Sequence, residues 1–295
     1  MLSRAFPLLI LPLFFVSSAC AHGLTGLRRG DDLREVTPAE VVRRIPPGSV
    51  LILGENHGLA AHRDQHLTLL RGLRDGGHRV SVGLEFFPFP FQPLVDEWRQ
   101  GRFPEALFLE RIQWGRTPFE FYRPQAEFPR LEEGSRTWAL NSPPGLSSRL
   151  VKVGLEGLSA AERAHLPPRF SLGRESYRRR FLEMMPHLPD PSVGERYFLA
   201  QSLWDDTMAW RAVEFLRQNP GQTLVIVVGE FHVQYGGGLP DRLRARAPGV
   251  GVFTLSQLNV SGWSSDEIAA AVRPSPRDGV RAHWVWVSES PVASP

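Results

Sequence analysis

Val50-Leu51-Ile52-Leu53-Gly54-Glu55-Asn56-His57 opens the informative part of the chain. Four apolar residues run into a glycine and then into a carboxylate and an imidazole. The arrangement returns 175 positions later, where Leu224-Val225-Ile226-Val227-Val228-Gly229 leads into Glu230-Phe231-His232. Val80-Ser81-Val82-Gly83-Leu84 ends on Glu85, Thr137-Trp138-Ala139-Leu140 ends on Asn141, and Val250 to Leu255 and His283 to Val287 complete the set. Short apolar runs bounded by glycine and polar residues predict strands buried on both faces, as in a parallel sheet. Between them, Leu59 to Leu73 and Tyr197 to Leu216 carry apolar residues at helical spacing. Strand-helix alternation predicts an α/β fold, a mostly parallel sheet with helices on both faces. The Pro- and Phe-rich segments 86–135 and 142–195 lack such periodicity and are expected to form helical insertions capping the sheet edge.

In open α/β sheets the ligand site lies beyond the carboxyl ends of the strands. If the strands ending at Gly54, Glu85 and Gly229 are parallel neighbours, Glu55, His57, Glu85 and His232 converge on one edge. Asp205 falls on the apolar stripe of its helix between Gln201 and Met208, and an inward carboxylate needs a partner. Asp206 points about 100° away and is expected in solvent. Tyr235 is expected at the rim of the cleft. Two more features could serve a ligand. His62 and His66 have the i,i+4 spacing of a metal pair, but no glutamate stands where a zinc-peptidase helix would carry one. Gly236-Gly237-Gly238 before the helix at Leu239 reads as an anion cradle or as a flexible turn. The chain contains no serine nucleophile elbow, P-loop or dinucleotide fingerprint.

At the amino end, Arg4 precedes the apolar run Ala5 to Val16, and Ser17-Ser18-Ala19-Cys20-Ala21 follows. This is the layout of a secretory signal over residues 1–20, with too short an apolar run to span a bilayer comfortably. Cys20, the one cysteine, stands where a bacterial lipobox places the thiol that is lipidated. That reading puts the protein in the cell envelope, extracytoplasmic and lipid-anchored. The alternative is cleavage after an Ala-x-Ala, releasing a soluble secreted protein. Residues 21–47 read as a tether with one helix near Pro38 to Arg44, 48–288 as the folded domain and 289–295 as a tail. Net charge is +3 and Lys152 is the only lysine, so no basic surface invites nucleic acid.

The order Gly54-Glu55-Asn56-His57, Gly83-Leu84-Glu85-Phe86-Phe87, Gln92-Pro93, Trp204-Asp205-Asp206-Thr207-Met208 and Gly229-Glu230-Phe231-His232-Val233-Gln234-Tyr235-Gly236, closing on Trp284-Val285-Trp286-Val287, resembles the ChaN-like haem-binding lipoprotein family over about residues 48–288. The resemblance implies a bacterial envelope protein concerned with haem or iron. It also implies kinship with erythromycin esterase-like proteins and TIKI-type metalloproteases, which use an equivalent Gly-Glu-x-His and a later histidine for hydrolysis. Two functions follow as expectations. In the first the protein binds haem, with His57, Asp205, His232 and Tyr235 as the candidate cofactor-binding residues. Tyr122 is a further possible ligand, Arg123 a partner for propionates, and the Phe-rich segment 86–91 an apolar slot. In the second it is a hydrolase assisted by a divalent metal, with Glu55 or Glu85 as base and His57 and His232 as ligands or proton shuttles.

Overall fold

The structure is a computed structural model and describes residues 24–115, 117–185 and 190–290. The expected signal and Cys20 lie outside the described residues. Seven strands form one sheet: β1 (Gly26–Arg29), β2 (Val50–Glu55), β3 (Val80–Pro88), β4 (Thr137–Asn141), β5 (Thr223–Gly229), β6 (Val252–Asn259) and β7 (Trp284–Ser288). Their order is β1-β7-β6-β2-β5-β3-β4. Every pairing is parallel except β1 against β7. The predicted α/β fold is therefore the observed one.

Helix α1 (Pro38–Arg43) precedes β2, and α2 (Ala60–Asp75) joins β2 to β3. Helices α3 (Gln92–Arg99), α4 (Glu105–Arg111) and α5 (Arg123–Glu127) lie between β3 and β4. Then come α6 (Leu146–Val153), α7 (Ala160–Arg163), α8 (Glu175–Glu183) and the long α9 (Pro191–Gln218), all before β5. Helix α10 (Leu239–Arg246) follows β5 and α11 (Ser265–Val272) follows β6.

The alternation of side chains along β2 and β5 explains the two layers. Leu51, Leu53, Val225 and Val227 face α2 and pack with its Leu69, Leu70 and Leu73. Val50, Ile52, Leu224, Ile226 and Val228 face the other way, onto Met208, Ala209, Ala212 and Phe215 of α9 and Leu239 and Leu243 of α10. Both faces are covered, which is why the strands read as unbroken apolar runs.

The two insertions behave differently. The first packs Trp98, Phe108, Phe119 and Tyr122 into the same core as α2, with Trp98 and Phe108 stacked at 4.3 Å. The second builds small cores of its own, around Leu146, Leu150 and Leu203 and around Tyr177, Phe181 and Phe198. The segment expected to be a tether departs from that reading. Residues 26–29 add β1 to the sheet edge, and Leu27, Val36, Val41, Val42 and Ile45 are buried in the main core. Only the helix was legible there, and its capping box (Thr37 with Glu40) shows why it starts where it does.

Candidate functional site

Strands β2, β5 and β3 are neighbours, and their register sets Glu55 beside Gly229 and Leu84 beside Val227. The carboxyl ends therefore present Glu55, Glu85 and the turn after Gly229 at one level. Two close approaches make this possible. A Cβ on Gly54 would stand 2.9 Å from Val233 Cγ2, and one on Gly229 would stand 3.0 Å from His57 Nε2. Gly54 is thus required by the packing of Val233 and the Glu230 backbone, and Gly229 leaves the space that the His57 ring occupies.

Two linked groups form there. In the first, His57 Nδ1 lies 3.0 Å from Glu55 Oε1, and the Tyr122 hydroxyl donates to the same oxygen at 2.8 Å. The Gly58 amide donates to the Tyr122 oxygen at 3.2 Å, which fixes the loop after β2. Glu55 is buried, whereas the His57 side chain keeps 42% of its exposure. Its Nε2 has no hydrogen-bond partner among the described residues, and its ring meets the Phe86 ring edge-on at 4.8 Å. Partial burial alone would lower the His57 pKa, but the Glu55 hydrogen bond and the Glu85 and Glu55 charges outweigh it and raise the value.

In the second group, His232 is buried between two carboxylates: Nδ1 is 2.7 Å from Asp205 Oδ1 and Nε2 is 3.4 Å from Glu85 Oε1. Burial opposes its charge, yet the Asp205 and Glu85 charges prevail and push its pKa up to about 10. Burial likewise opposes the charge on Glu85, but the imidazolium and the Gly229 amide, which donates to Oε2 at 2.6 Å, hold it down at about 2. Tyr177 donates to Asp205 Oδ2 at 2.8 Å, and the Gln201 amide donates to the Tyr177 oxygen at 3.0 Å. Each histidine is thus held by a carboxylate that is itself held by a buried tyrosine.

Glu55, His57, Glu85, Asp205 and His232 all come together. Tyr235 has a different neighbourhood: its ring lies beneath the guanidinium groups of Arg180 and Arg281, at 4.8 and 5.2 Å. Asp206 is buried and not solvated as expected, because Arg246 of α10 reaches it at 2.7 Å and the Ser171 amide at 3.1 Å. Glu230 does not repeat the part of Glu55. It accepts from Ser256 at 2.6 Å and pairs with Arg281 at 2.5 Å.

His62 and His66 are both buried and hydrogen-bonded within the protein, although His62 Nε2 has no partner among the described residues. His62 Nδ1 accepts from the Asn56 amide at 3.0 Å, and His66 lies between Gln257 (2.6 Å) and Gln125 (3.1 Å). Burial lowers both pKa values, that of His62 to about 4. The glycine triplet is a tight turn: a Cβ on Gly238 would lie 2.5 Å from the His232 carbonyl oxygen. Arg123 is held by Glu105 at 2.5 Å, and Phe87 is buried in the core while Phe86 faces the site.

Among the described residues no three His, Cys, Asp or Glu side chains are grouped to hold a metal ion. The reason is visible in the pairing: the carboxylates face tyrosine, amide and imidazole hydrogens, not a common centre. A divalent-metal site therefore finds no support. Sequence reading missed Tyr177, which sits in an arginine-rich stretch with no periodic signal. The available clue was scarcity, as the chain has four tyrosines and two serve these carboxylates.

Two grooves flank the site. One, of about 240 Å³, is lined by Phe86, Ile112, Trp114 and Trp204. The other, of about 500 Å³, is lined by Val151, Phe181, Tyr197, Ala200, Gln201 and Trp204. They meet at Trp204 and Ser147.

The chain is similar to several solved structures, one of them over nearly its whole length. The ChaN of Campylobacter jejuni, described with cofacial haem binding, superimposes with a TM-score of 0.62 at 12% identity, over 88% of this chain and 95% of that one. An erythromycin esterase EreC mutant in its open conformation gives 0.46 at 13% identity, over 80% and 77% of the two chains. A succinoglycan biosynthesis protein gives 0.45 at 12% identity, over 82% and 74%. No curated protein matches the chain. The family model described as haem-binding uptake, Tiki superfamily, ChaN matches residues 41–243, and the chain belongs to that family.

Proposed function

We propose that the protein binds haem at the carboxyl edge of the sheet, with His57 as the iron ligand. One observation carries the reading: His57 is the histidine of the site whose side chain is 42% exposed and whose Nε2 makes no hydrogen bond among the described residues, while its Nδ1 is engaged by a buried carboxylate. That is how proteins orient and strengthen an imidazole for iron or zinc. The other candidates are committed. Both nitrogens of His232 face carboxylates. Tyr122 donates to Glu55, and burial with the Glu55 charge beside it pushes its pKa far up, which disfavours the phenolate that iron prefers. Bound haem would offer its iron to the imidazole, and Phe86, Trp114 and Trp204 in the grooves that meet at Trp204 would give a flat macrocycle aromatic contacts. Membership of the family supports the same ligand.

Within this reading the protein serves haem or iron handling in the cell envelope, held by lipid on Cys20. The support is the sequence layout, a short apolar signal ending in the chain's single cysteine. Among the described residues no helix is long and apolar enough to cross a membrane. Cys20→Ser should move the protein from the membrane to the soluble fraction, and a mature chain beginning at His22 would overturn the anchor.

Titration with haemin tests the main proposal. The parent should give a saturable Soret shift that His57→Ala loses. A parent with no saturable shift would refute haem binding, and an undiminished shift in His57→Ala would refute the ligand assignment.

A further inference from the structure

A second cavity, of about 580 Å³, opens between α10, the Tyr235 turn and the starts of β6 and β7. It takes no part in the His57 site. We infer that it binds a small multiply charged anion built on a flat apolar ring, an aromatic polycarboxylate or a phosphorylated ring compound.

The polar side of the cavity supplies positive charge that the protein's own carboxylates do not fully engage. Five arginines line it, against two aspartates. Asp31 accepts from Arg29 Nε at 2.9 Å with Asp32 3.5 Å from the same nitrogen, and Glu230 holds Arg281 at 2.5 Å. Asp241 alone serves both Arg174, at 3.1 Å, and Arg244, at 4.0 Å. Arg44 has no side-chain partner among the described residues and is exposed. Guanidinium groups placed this way suit carboxylate and phosphate oxygens. His283 adds a neutral donor. Its Nδ1 accepts from the Thr254 amide at 3.0 Å, which puts the ring proton on Nε2.

The remaining wall is aromatic. Phe253 and Trp284 lie roughly parallel with centroids 6.1 Å apart, and the His283 ring is 5.8 Å from Phe253. Tyr235 closes the side nearest α10. It is held at φ 56°, a left-handed conformation uncommon for any residue but glycine, with its amide donating to the Arg281 carbonyl at 2.6 Å. Residues held in such conformations collect at ligand clamps. Charge on one side and aromatic side chains on the other select for both halves of the ligand. The volume falls in the range of small-molecule sites, ~300–1,000 Å³.

Isothermal titration of the purified protein with benzene-1,3,5-tricarboxylate, phenyl phosphate and inorganic pyrophosphate tests this. At least one of the two ring anions should bind saturably, and which of them binds tighter separates carboxylate from phosphate recognition. Arg44→Glu and Arg244→Gln should each weaken that binding about tenfold or more, with the ligand-free melting temperature of Arg44→Glu unchanged. Absence of saturable binding by both ring anions would overturn the inference, as would equal affinity in parent and both variants. Pyrophosphate binding as tightly as the ring anions would overturn the role of the aromatic wall.

Discussion

His57 Nε2 sits over Gly229 so closely that a Cβ on residue 229 would be 3.0 Å away. The two residues come from different strand ends, and the absence of one side chain makes space for the other. Gly229 has φ −56°, which alanine adopts freely, so Gly229→Ala should act on the imidazole and not on the backbone. Haem affinity should fall about tenfold or more, because displacement from a set ligand geometry is costly, while the urea midpoint changes little. Unchanged haem affinity in this variant would remove His57 from the iron.

If His57 ligates the iron as proposed, Glu55 acts on haem through it. Glu55→Gln keeps the shape but loses the charge that raises the imidazole pKa. Haem affinity should weaken by roughly 10–100-fold, the usual effect of removing the partner of a ligating histidine. With His57 as ligand, iron would compete with a proton for Nε2 in the parent, so affinity should fall as pH drops through the raised pKa of His57 and level off above it. In Glu55→Gln that fall should begin at lower pH. Soret titrations across pH read both effects, and identical profiles would contradict the role of Glu55.

His232 has a different task. It is the counter-charge for Asp205 and Glu85, and removing one member of a buried ionic group typically costs ~3–5 kcal/mol. His232→Gln should lower stability by about that much in urea unfolding, yet its folded fraction should still bind haem. A variant of parental stability that binds no haem would instead make His232 a ligand.

Stability should be greatest near neutrality, for three separate reasons. His232 is raised from 6.5 to about 10, so its contribution is complete below pH 6.5 and is lost as pH rises through 10. Glu85 is depressed from 4.5 to about 2, so its contribution is complete above pH 4.5 and disappears as pH falls through 2. His62 is depressed from 6.5 to about 4 by burial and the neighbouring His66, so the unfolded chain takes up a proton that the folded one refuses. Stability should fall by about 3 kcal/mol from that residue as pH drops from 6.5 to 4. Urea midpoints of the parent and His62→Gln across this range check it: the variant should lose the slope above pH 4.5.

The central sheet was legible because its strands are buried on both faces and so announce themselves as apolar runs. The convergence of Glu55, Glu85 and His232 followed from their places at strand ends. Strand β1 was not legible: Gly26-Leu27-Arg28-Arg29 is short and half polar, and it is a strand only because β7 offers an open edge. Asp206 was misjudged because helical spacing says which way a side chain points but not what later packs against it, here Arg246. The different parts played by His57 and His232 were also invisible. Both follow a Gly-Glu-x motif, and only the surrounding carboxylates and exposure separate them.

The strand order has a consequence for how the molecule is made. Strand β5 lies between β2 and β3, yet both precede it in the chain by more than a hundred residues. While the nascent chain lengthens, β2 and β3 each lack the neighbour that fills the gap between them, and Glu55 and Glu85 have no common setting. Such long-range pairing folds slowly and leaves strand edges open to other chains. The candidate site is therefore among the last parts to exist, assembled only when residues 223–232 arrive, and a chain truncated before them would be prone to aggregate and unable to form the site.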